Sequence, residues 1–428
     1  MTHHNFCMAK SMLMKTTVLM LFSILLSSQS KYATANEPEM HSLFEAPNKS
    51  VRVICLGDSV TGVYYHTGGR RAYSALVEIG LQRAFPETEI EVINAGISGH
   101  TTADGLNRLE RDVLSKNPDL VTIKFSLNDM TRIPMANFES NLMSMIKQIQ
   151  ATGSAVVLCT PNSVIDSTGR PTKKLETYVA KIREVAKREN LPLADCYAAY
   201  EEKREQDEWA WTMMMSDDIH PNMGGHKLIA ETIVNRISGQ TISLQDVDPL
   251  TPTLPFTLAK LRTGEPVKIL AMPPYDTLVK RVIQKDFPEA KLEVTTWTVD
   301  GLSLPEIEKS ADQVRSSKAD WVIIALPREV LPGKDAQELR SLSWILNKSL
   351  SFGHLEWDCI VISPDLTGPA TTDEEHMREG ILHQFVRHQD LNLLSLTTLS
   401  DSDVKNVKQK DATAFLQAWW QQELQQKP

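Results

Sequence analysis

The chain has 428 residues, of which 42% are hydrophobic and 23% are charged. This balance is ordinary for a soluble globular protein, and the length is sufficient for two domains of about 100–200 residues each. The formal net charge of −9 argues against nucleic acid as a partner, because proteins bind nucleic acids by neutralising phosphates with basic side chains.

The first 35 residues have the pattern of a secretory signal peptide. Lys10 and Lys15 precede an apolar stretch from Val18 to Leu26, and Ala33–Ala35 supplies small residues for cleavage. The apolar stretch is shorter than the roughly 20 residues that span a bilayer. We therefore predict cleavage after Ala35 and a secreted or periplasmic protein without an integral membrane span. An N-terminal anchor that stays uncleaved is the alternative.

Four cysteines follow this segment, and each lies in or beside an apolar, strand-like run: Cys55, Cys159, Cys196 and Cys359. Such thiols usually pack as small core hydrophobes. No C-x-x-C spacing indicates a metal or redox site. A bridge between Cys159 and either Cys55 or Cys196 stays open in an oxidising compartment.

From residue 51 onward, strand-like and helix-like segments alternate. The predicted strands are Val51–Leu56, Ile90–Asn94, Leu120–Phe125, Ala155–Thr160 and Leu191–Ala194. The predicted helices are Tyr73–Phe85, Thr102–Leu114, Asn137–Gln150, Leu175–Arg188 and a closing helix that contains Leu228, Ile233 and Ile237. Alternation of this kind predicts a parallel sheet with helices on both faces, a three-layer α/β/α domain over residues 51–240. Ligands bind such sheets outside the carboxyl ends of the strands.

Residues 241–264 are rich in proline and read as a linker. Beyond them, three strand-like segments of the first domain are echoed at nearly constant offsets of 202, 201 and 203 residues. The echoed pairs are 85–92 with 287–294, 118–123 with 319–324, and 156–161 with 359–364. We predict a duplicated α/β unit over residues 265–428. Two unrelated domains with similar strand patterns are the alternative.

Four short blocks of polar residues and glycine stand at the ends of predicted strands or before a predicted helix. They are Gly57–Thr61, Asn94–Thr101, Phe125–Asp129 and Asp217–Asn222. Their residue types are those of an acyl-transfer site, because a serine hydroxyl becomes a nucleophile only when a positioned histidine accepts its proton. Ser59 is the candidate nucleophile and His220 the candidate base. Asp217 can orient the imidazole, with Asp218 as the competing carboxylate.

The four blocks, in this order, resemble the SGNH (GDSL-type) hydrolase family, and the second block is most similar to its lysophospholipase/thioesterase branch. The resemblance covers about residues 51–238 and implies a flavodoxin-like fold and a catalytic triad of Ser59, Asp217 and His220. It also implies an oxyanion hole made of the Ser59 and Gly99 N–H groups and the Asn128 amide. The family commonly has glycine where this chain has Ser126.

The second unit lacks these residues. Val51–Ser59 aligns with Val267–Tyr275, so that tyrosine replaces the candidate nucleophile, and Glu329 stands at the position of Asn128. No histidine follows His388, so the position of His220 has no counterpart. We predict that the second unit is not an enzyme.

The segment after Ser59 carries five further candidates for substrate binding: Tyr64, Tyr65, His66, Arg70 and Arg71. We predict that they line the acyl or alcohol pocket and that the arginines favour polar or anionic substrates; a solvated loop is the alternative. Ser59 could also be a simple helix N-cap and His220 a structural histidine. Asp58 and Asp129 are expected to bond nearby backbone N–H groups.

The sequence thus predicts an exported serine esterase that cleaves carboxylic esters, of small molecules or of glycans, through an acyl-enzyme on Ser59. Its substrates would include the O-acetyl groups of carbohydrates. No cofactor or metal is predicted. A lysophospholipase or acyl-thioesterase is an alternative within the class. A carbohydrate-binding or scaffold protein without catalytic activity is the alternative from another class.

Overall fold

The computed structural model describes residues 37–45, 50–351, 356–399 and 411–426. The predicted signal peptide, residues 1–35, lies outside the described residues. Two five-stranded sheets, both fully parallel, form the centres of two α/β units. The predicted fold class is confirmed.

The first unit surrounds a sheet of order β2-β1-β3-β4-β5. Its strands are β1 (Ser50–Gly57), β2 (Glu89–Gly96), β3 (Leu120–Lys124), β4 (Ala155–Cys159) and β5 (Leu193–Ala194). Its helices are α1 (Glu37–Glu45), α2 (Tyr73–Ala84), α3 (Thr102–Asn107), α4 (Leu109–Asp112), α5 (Asp129–Arg132), α6 (Met135–Ala151), α7 (Thr172–Arg188), α8 (Cys196–Gln206), α9 (Glu208–Thr212) and α10 (Met223–Ser238). Strands β1 and β3 are buried almost throughout, as expected when helices cover both faces of a parallel sheet.

The second unit has a sheet of order β7-β6-β8-β9-β10. Its strands are β6 (Val267–Ala271), β7 (Leu292–Thr296), β8 (Trp321–Ile324), β9 (Asp358–Ile362) and β10 (Leu393–Leu394). Its helices are α11 (Pro255–Thr263), α12 (Tyr275–Asp286), α13 (Leu304–Ser310), α14 (Gln313–Ser317), α15 (Ala336–Ser349), α16 (Asp373–His388) and α17 (Ala412–Gln425). Short 3₁₀ helices lie at 65–67, 114–116, 328–330 and 364–366.

The two sheets share the same strand order and the same register. Val53 pairs with Leu120 and Ile269 pairs with Trp321, which are the positions that the sequence echo aligns. The other three pairs of neighbouring strands match in the same way. Their common ancestry stays a prediction, but the echo in sequence corresponds to an identical pairing of strands.

Two sequence-based boundaries need correction. The predicted helix Thr102–Leu114 breaks at Arg108, whose guanidinium reaches back to the Gly57 carbonyl at 2.8 Å and whose backbone leaves the helical region. The predicted linker 241–264 contains α11, which buries Leu258 and Leu261 in the second core. Pro255 begins this helix instead of breaking the chain, because proline suits the first turn.

The four cysteines are free and buried. These thiols therefore act as core side chains in the two sheets and their helices.

No helix among the described residues is both long and apolar enough to cross a membrane.

Candidate active site

Ser59 lies in a tight turn directly after β1, at the carboxyl edge of the first sheet. The turn is closed by the Thr61 and Gly62 N–H groups, which donate to the Asp58 carbonyl at 3.1 Å. Gly57 is required here, since a Cβ would lie 2.7 Å from the Lys124 carbonyl oxygen. The next α-helix begins only at Tyr73, so Ser59 is not a helix N-cap.

His220 lies in a second tight turn, before α10. Met215 and Pro221 form an antiparallel bridge across this turn. The Ser216 N–H donates to the His220 carbonyl at 2.9 Å, and the N–H groups of Ile219 and His220 donate to Asp217 Oδ1 at 2.8 and 2.7 Å. We call residues 213–222 the histidine loop.

The two turns bring three side chains into one chain of hydrogen bonds. Ser59 Oγ lies 2.8 Å from His220 Nε2, and His220 Nδ1 lies 2.8 Å from Asp217 Oδ2. Burial alone would raise the pKa of Asp217, but His220 and the backbone N–H groups hold it well below its usual range. The ionised carboxylate can only accept, so His220 Nδ1 carries the proton and Nε2 is free to accept from the serine.

The candidate oxyanion donors border the same edge. Gly99 has a φ of 76°, and open space surrounds its Cα on the side where a Cβ would stand. Asn128 follows β3, and its Nδ2 donates one hydrogen bond to the His100 carbonyl at 3.0 Å. An amide nitrogen has two hydrogens, so the second can serve a ligand.

Two aspartates within the polar blocks have backbone roles, as predicted. Asp58 Oδ1 accepts from the Val60 N–H at 3.0 Å, and Asp129 Oδ1 accepts from the Thr102 N–H at 2.8 Å. Burial raises the pKa of Asp129 to about 6. These carboxylates therefore fix the loops that carry the serine and the asparagine.

Tyr64 and Tyr65 lie beside the site and bond to its loops. The Tyr64 hydroxyl accepts from the Ser98 N–H at 2.7 Å, next to Gly99. The Tyr65 hydroxyl donates to Asp217 Oδ2 at 3.0 Å. Tyr65 is thus a further partner of the triad carboxylate, a role that the sequence pattern did not reveal.

His66 is a correction to the sequence prediction, because its side chain is buried and packs against the candidate base. Its ring stacks on His220 at 4.7 Å between centroids and on His226 at 5.6 Å. Among the described residues, neither ring nitrogen has a hydrogen-bond partner of ordinary geometry. Burial lowers the pKa of His66 to about 3, with a smaller contribution from His220. The residue therefore packs as a neutral ring behind the candidate base.

Arg70 and Arg71 are a second correction, because they face the second unit. Arg71 makes two hydrogen bonds to Asp390, at 2.6 and 2.8 Å, and this ion pair is buried. Arg70 donates to the Leu250 carbonyl at 2.8 Å. Arg71 thus joins the two units and Arg70 binds the segment between them, so the expected preference for anionic substrates loses its basis.

Arg170 is a residue at the site that the sequence did not indicate. Its Nη2 lies 3.5 Å from Asn128 Oδ1, on the oxygen side of the candidate oxyanion amide. This contact orients the amide so that its nitrogen faces the other way. Nothing in the spacing of Arg170 marks it, because it lies in the loop before α7 with no motif around it.

Part of the chain is similar to known esterases and acylhydrolases. Residues 55–228 match the model of the GDSL-like lipase/acylhydrolase family. An acetylxylan esterase of Geobacillus stearothermophilus is 26% identical over 211 residues, which cover 44% of this chain and 93% of that protein. An arylesterase of Vibrio mimicus is 29% identical over 196 residues, or 46% of this chain and 92% of that protein.

A solved structure from Enterococcus faecalis, of a lipase/acylhydrolase, is 31% identical to the matched part. It covers 46% of this chain and 100% of its own, with a TM-score of 0.38. The family match includes Ser59 and His220, the two side chains in direct contact at the sheet edge. Through residues 55–228 the chain belongs to the GDSL-like lipase/acylhydrolase (SGNH) family, and it is an ester hydrolase.

Proposed function

We propose that this protein is an exported serine esterase that removes acyl groups, O-acetyl groups of carbohydrates in particular, through an acyl-enzyme on Ser59. The observation that carries the proposal is the unbroken line of hydrogen bonds from Ser59 through His220 to Asp217. Export rests on the signal-like pattern of the first 35 residues.

Acylation begins with attack of Ser59 Oγ on the ester carbonyl carbon while His220 Nε2 takes the hydroxyl proton. The carbonyl oxygen becomes an oxyanion, which the N–H groups of Ser59 and Gly99 and the free hydrogen of Asn128 Nδ2 stabilise. Asp217 stabilises the imidazolium that forms. When the tetrahedral intermediate collapses, the carbon–oxygen bond to the alcohol breaks and His220 gives its proton to the leaving alcohol.

Deacylation repeats these steps with water as the nucleophile. His220 accepts a proton from water, the hydroxide attacks the acyl carbon, and the second tetrahedral intermediate expels Ser59 Oγ, which regains its proton from His220. The products are the free alcohol and a carboxylic acid. No cofactor enters this scheme.

A carbohydrate acetate is the substrate class that the similarity to an acetylxylan esterase favours. The acetylxylan esterase and this chain align over almost the whole of that enzyme, so the first unit corresponds to a complete esterase domain. Lysophospholipid and thioester hydrolysis are the competing activities within the same chemistry, since all three proceed through an acyl-serine.

The direct test is hydrolysis of acetylated xylo-oligosaccharides, p-nitrophenyl esters of increasing acyl length, lysophospholipid and acyl-CoA by the protein without residues 1–35. We expect acetyl esters to be cleaved fastest and a transient mass increase of one acetyl group on Ser59. Preference for long acyl chains would replace the carbohydrate proposal by a lipid one. Failure of a fluorophosphonate to label Ser59 would favour the binding-protein alternative.

Asn128→Ala isolates the oxyanion role. Loss of one such donor raises the barrier by about 2.7–4 kcal/mol, so kcat on p-nitrophenyl acetate should fall by about 10²–10³-fold. KM should change little, because the oxyanion exists only in the transition state. A rise in KM with kcat unchanged would assign Asn128 to substrate binding instead.

We further propose that residues 265–428 are a duplicated copy that has lost catalysis. The identical strand register supports common ancestry. Tyr275 and Glu329 in place of Ser59 and Asn128 support the loss of chemistry. Fluorophosphonate labelling should therefore stop at one equivalent per chain.

A further inference from the structure

We propose that the second unit holds the histidine loop in place, with Asn347, Ser343 and Gln389 as positioning residues for the esterase site. This inference rests on the proposed function, because it assigns those residues to the orientation of Asp217 and His220. It gives the non-catalytic half a role in the reaction.

The contact centres on Ser216, the residue directly before Asp217. The Ser216 carbonyl accepts hydrogen bonds from Asn347 Nδ2 at 2.8 Å and from the Ser343 hydroxyl. The Ser216 hydroxyl donates to Asn347 Oδ1 at 2.9 Å and lies 3.2 Å from Gln389 Nε2. Ser343 and Asn347 lie on α15, and Gln389 caps α16.

All four polar residues of this network are buried, Ser216 and Gln389 completely so. Water does not reach these buried groups, so loss of one partner leaves a donor or acceptor without a hydrogen bond. The network therefore fixes one position of Ser216 and disfavours alternatives strongly.

Ser216 is linked to the base through the loop itself. Its N–H donates to the His220 carbonyl at 2.9 Å, and the Asp217 N–H points to the same carbonyl at 3.3 Å. Side chains of the second unit thus bind the Ser216 carbonyl, while the Ser216 N–H binds the His220 carbonyl. A shift of Ser216 would move both triad members that the loop carries.

Further contacts of Met213 and Tyr65 with the second unit support the same assignment. Met213, at the start of the histidine loop, is buried in the second unit's core. Its carbonyl lies 3.0 Å from His388 Nδ1 of α16. Tyr65, the hydroxyl partner of Asp217, packs against the same core and lies 6.4 Å from the Trp344 ring. The loop is therefore held at its start, at Ser216 and through Tyr65.

The test is Asn347→Leu in the full chain, assayed on p-nitrophenyl acetate well below the unfolding temperature. Misplacement of a reacting group by about 1 Å can cost about 10²-fold in rate, so we expect kcat to fall by about 10–100-fold with KM within about twofold. The low-field proton resonance of His220 Nδ1–H should broaden or shift. Ser343→Ala removes one of two donors to the carbonyl and should have a smaller effect of the same kind.

Thr253→Val is the matched control. It removes a buried hydrogen bond to Glu423 Oε1, 2.7 Å long, which does not contact the histidine loop. We expect a comparable loss of thermal stability with unchanged kcat and an unchanged His220 resonance. If Asn347→Leu does not fold, Ser343→Ala and Gln389→Leu provide the same comparison.

An unchanged kcat and resonance in folded Asn347→Leu or Ser343→Ala would overturn the proposal, as would an equal fall of kcat in Thr253→Val. These outcomes are separate from failure of the esterase function itself. That failure would appear as hydrolysis that persists in Ser59→Ala, or as no hydrolysis of any ester by the unmutated chain. The His220 resonance reports on the loop in either case.

Discussion

The two halves of the molecule share a backbone plan but differ at the carboxyl edges of their sheets. In both halves the first strand is fixed to the third by the same bonds. Asp119 accepts from the Arg52 N–H at 2.9 Å, and its counterpart Asp320 accepts from the Lys268 N–H at 2.8 Å. Both halves thus contain the strand pairing on which a site can be built.

Within the described residues, the candidate triad and oxyanion residues lie in the first half. The edge of the second sheet holds a cavity of about 300 Å³ that includes Pro273, Tyr275 and Glu329, where the first has Gly57, Ser59 and Asn128. Ser363 Oγ does lie 2.9 Å from His383 Nε2, but Ser363 follows β9, not the first strand of its sheet. The comparison teaches that strand pairing sets where a site can lie, whereas the loops after the strands decide what it does.

Paired serine substitutions should separate the two halves most strongly. We expect Ser59→Ala to lower kcat by at least about 10⁴-fold, because no other group replaces the nucleophile. Ser363→Ala should leave ester hydrolysis unchanged. Steady-state assays of both variants, with fluorophosphonate labelling followed by peptide mapping, check this; label on Ser363 would contradict the proposed difference between the halves.

The buried ion pair between the halves should give the next largest effect. Arg71→Met leaves the Asp390 carboxylate buried without its partner, so we expect the free energy of unfolding to fall by about 3–5 kcal/mol. Addition of Asp390→Asn removes the charge and should recover much of this loss; asparagine tolerates the φ of 57° at that position. Urea unfolding of the single and double variants measures the difference. Equal stabilities would show that the uncompensated charge is not the cause.

The stacked histidines behind the first site predict a dependence of stability on pH. The unfolded chain binds a proton on His66 near pH 6.5, but the folded chain does so only near pH 3. Between these values the unfolded state binds more protons, so stability falls on acidification. From pH 7 to pH 5 this amounts to about 2 kcal/mol for one such histidine.

His66→Leu should make that loss smaller by the same amount, as measured by urea unfolding at pH 7, 6 and 5. Burial also lowers the pKa of His226 well below its usual range, so part of the acid sensitivity should remain. An identical slope for the variant and the unmutated chain would mean that His66 does not stay neutral when folded.

The smallest effect is expected at Ser126, where the two halves turn differently after the third strand. Ser126 has a φ of 132°, whereas its counterpart Pro327 has a φ of −57°. Within the part of the chain that the structure describes, the buried Ser126 hydroxyl also has no hydrogen-bond partner. Ser126→Gly relieves the backbone strain of the positive φ, at some cost in the entropy of the unfolded chain. We therefore expect the free energy of unfolding to rise by about 1 kcal/mol. A lower melting temperature in calorimetry would contradict this account.

Patterns within one segment of the chain determined the frame and the position of the site. Apolar runs such as Val51–Leu56 and Leu120–Phe125 predicted the first and third strands to within about two residues, because a buried parallel strand requires a continuous apolar run. The four polar blocks follow strand ends or precede a helix. The sequence alone therefore predicts that Ser59 and His220 lie at one edge of the sheet.

Contacts between distant segments were decided only by the tertiary structure. Arg71 and Asp390 are 319 residues apart, and Ser216 and Asn347 are 131 apart. Their pairing depends on how two complete units pack, which leaves no periodic signal in either segment. The same holds for His66, whose neighbours His220 and His226 come from the other end of the first unit. Local residue patterns specify strands and loops, but the partners of a buried polar side chain are fixed by whichever surfaces the packed units bring together.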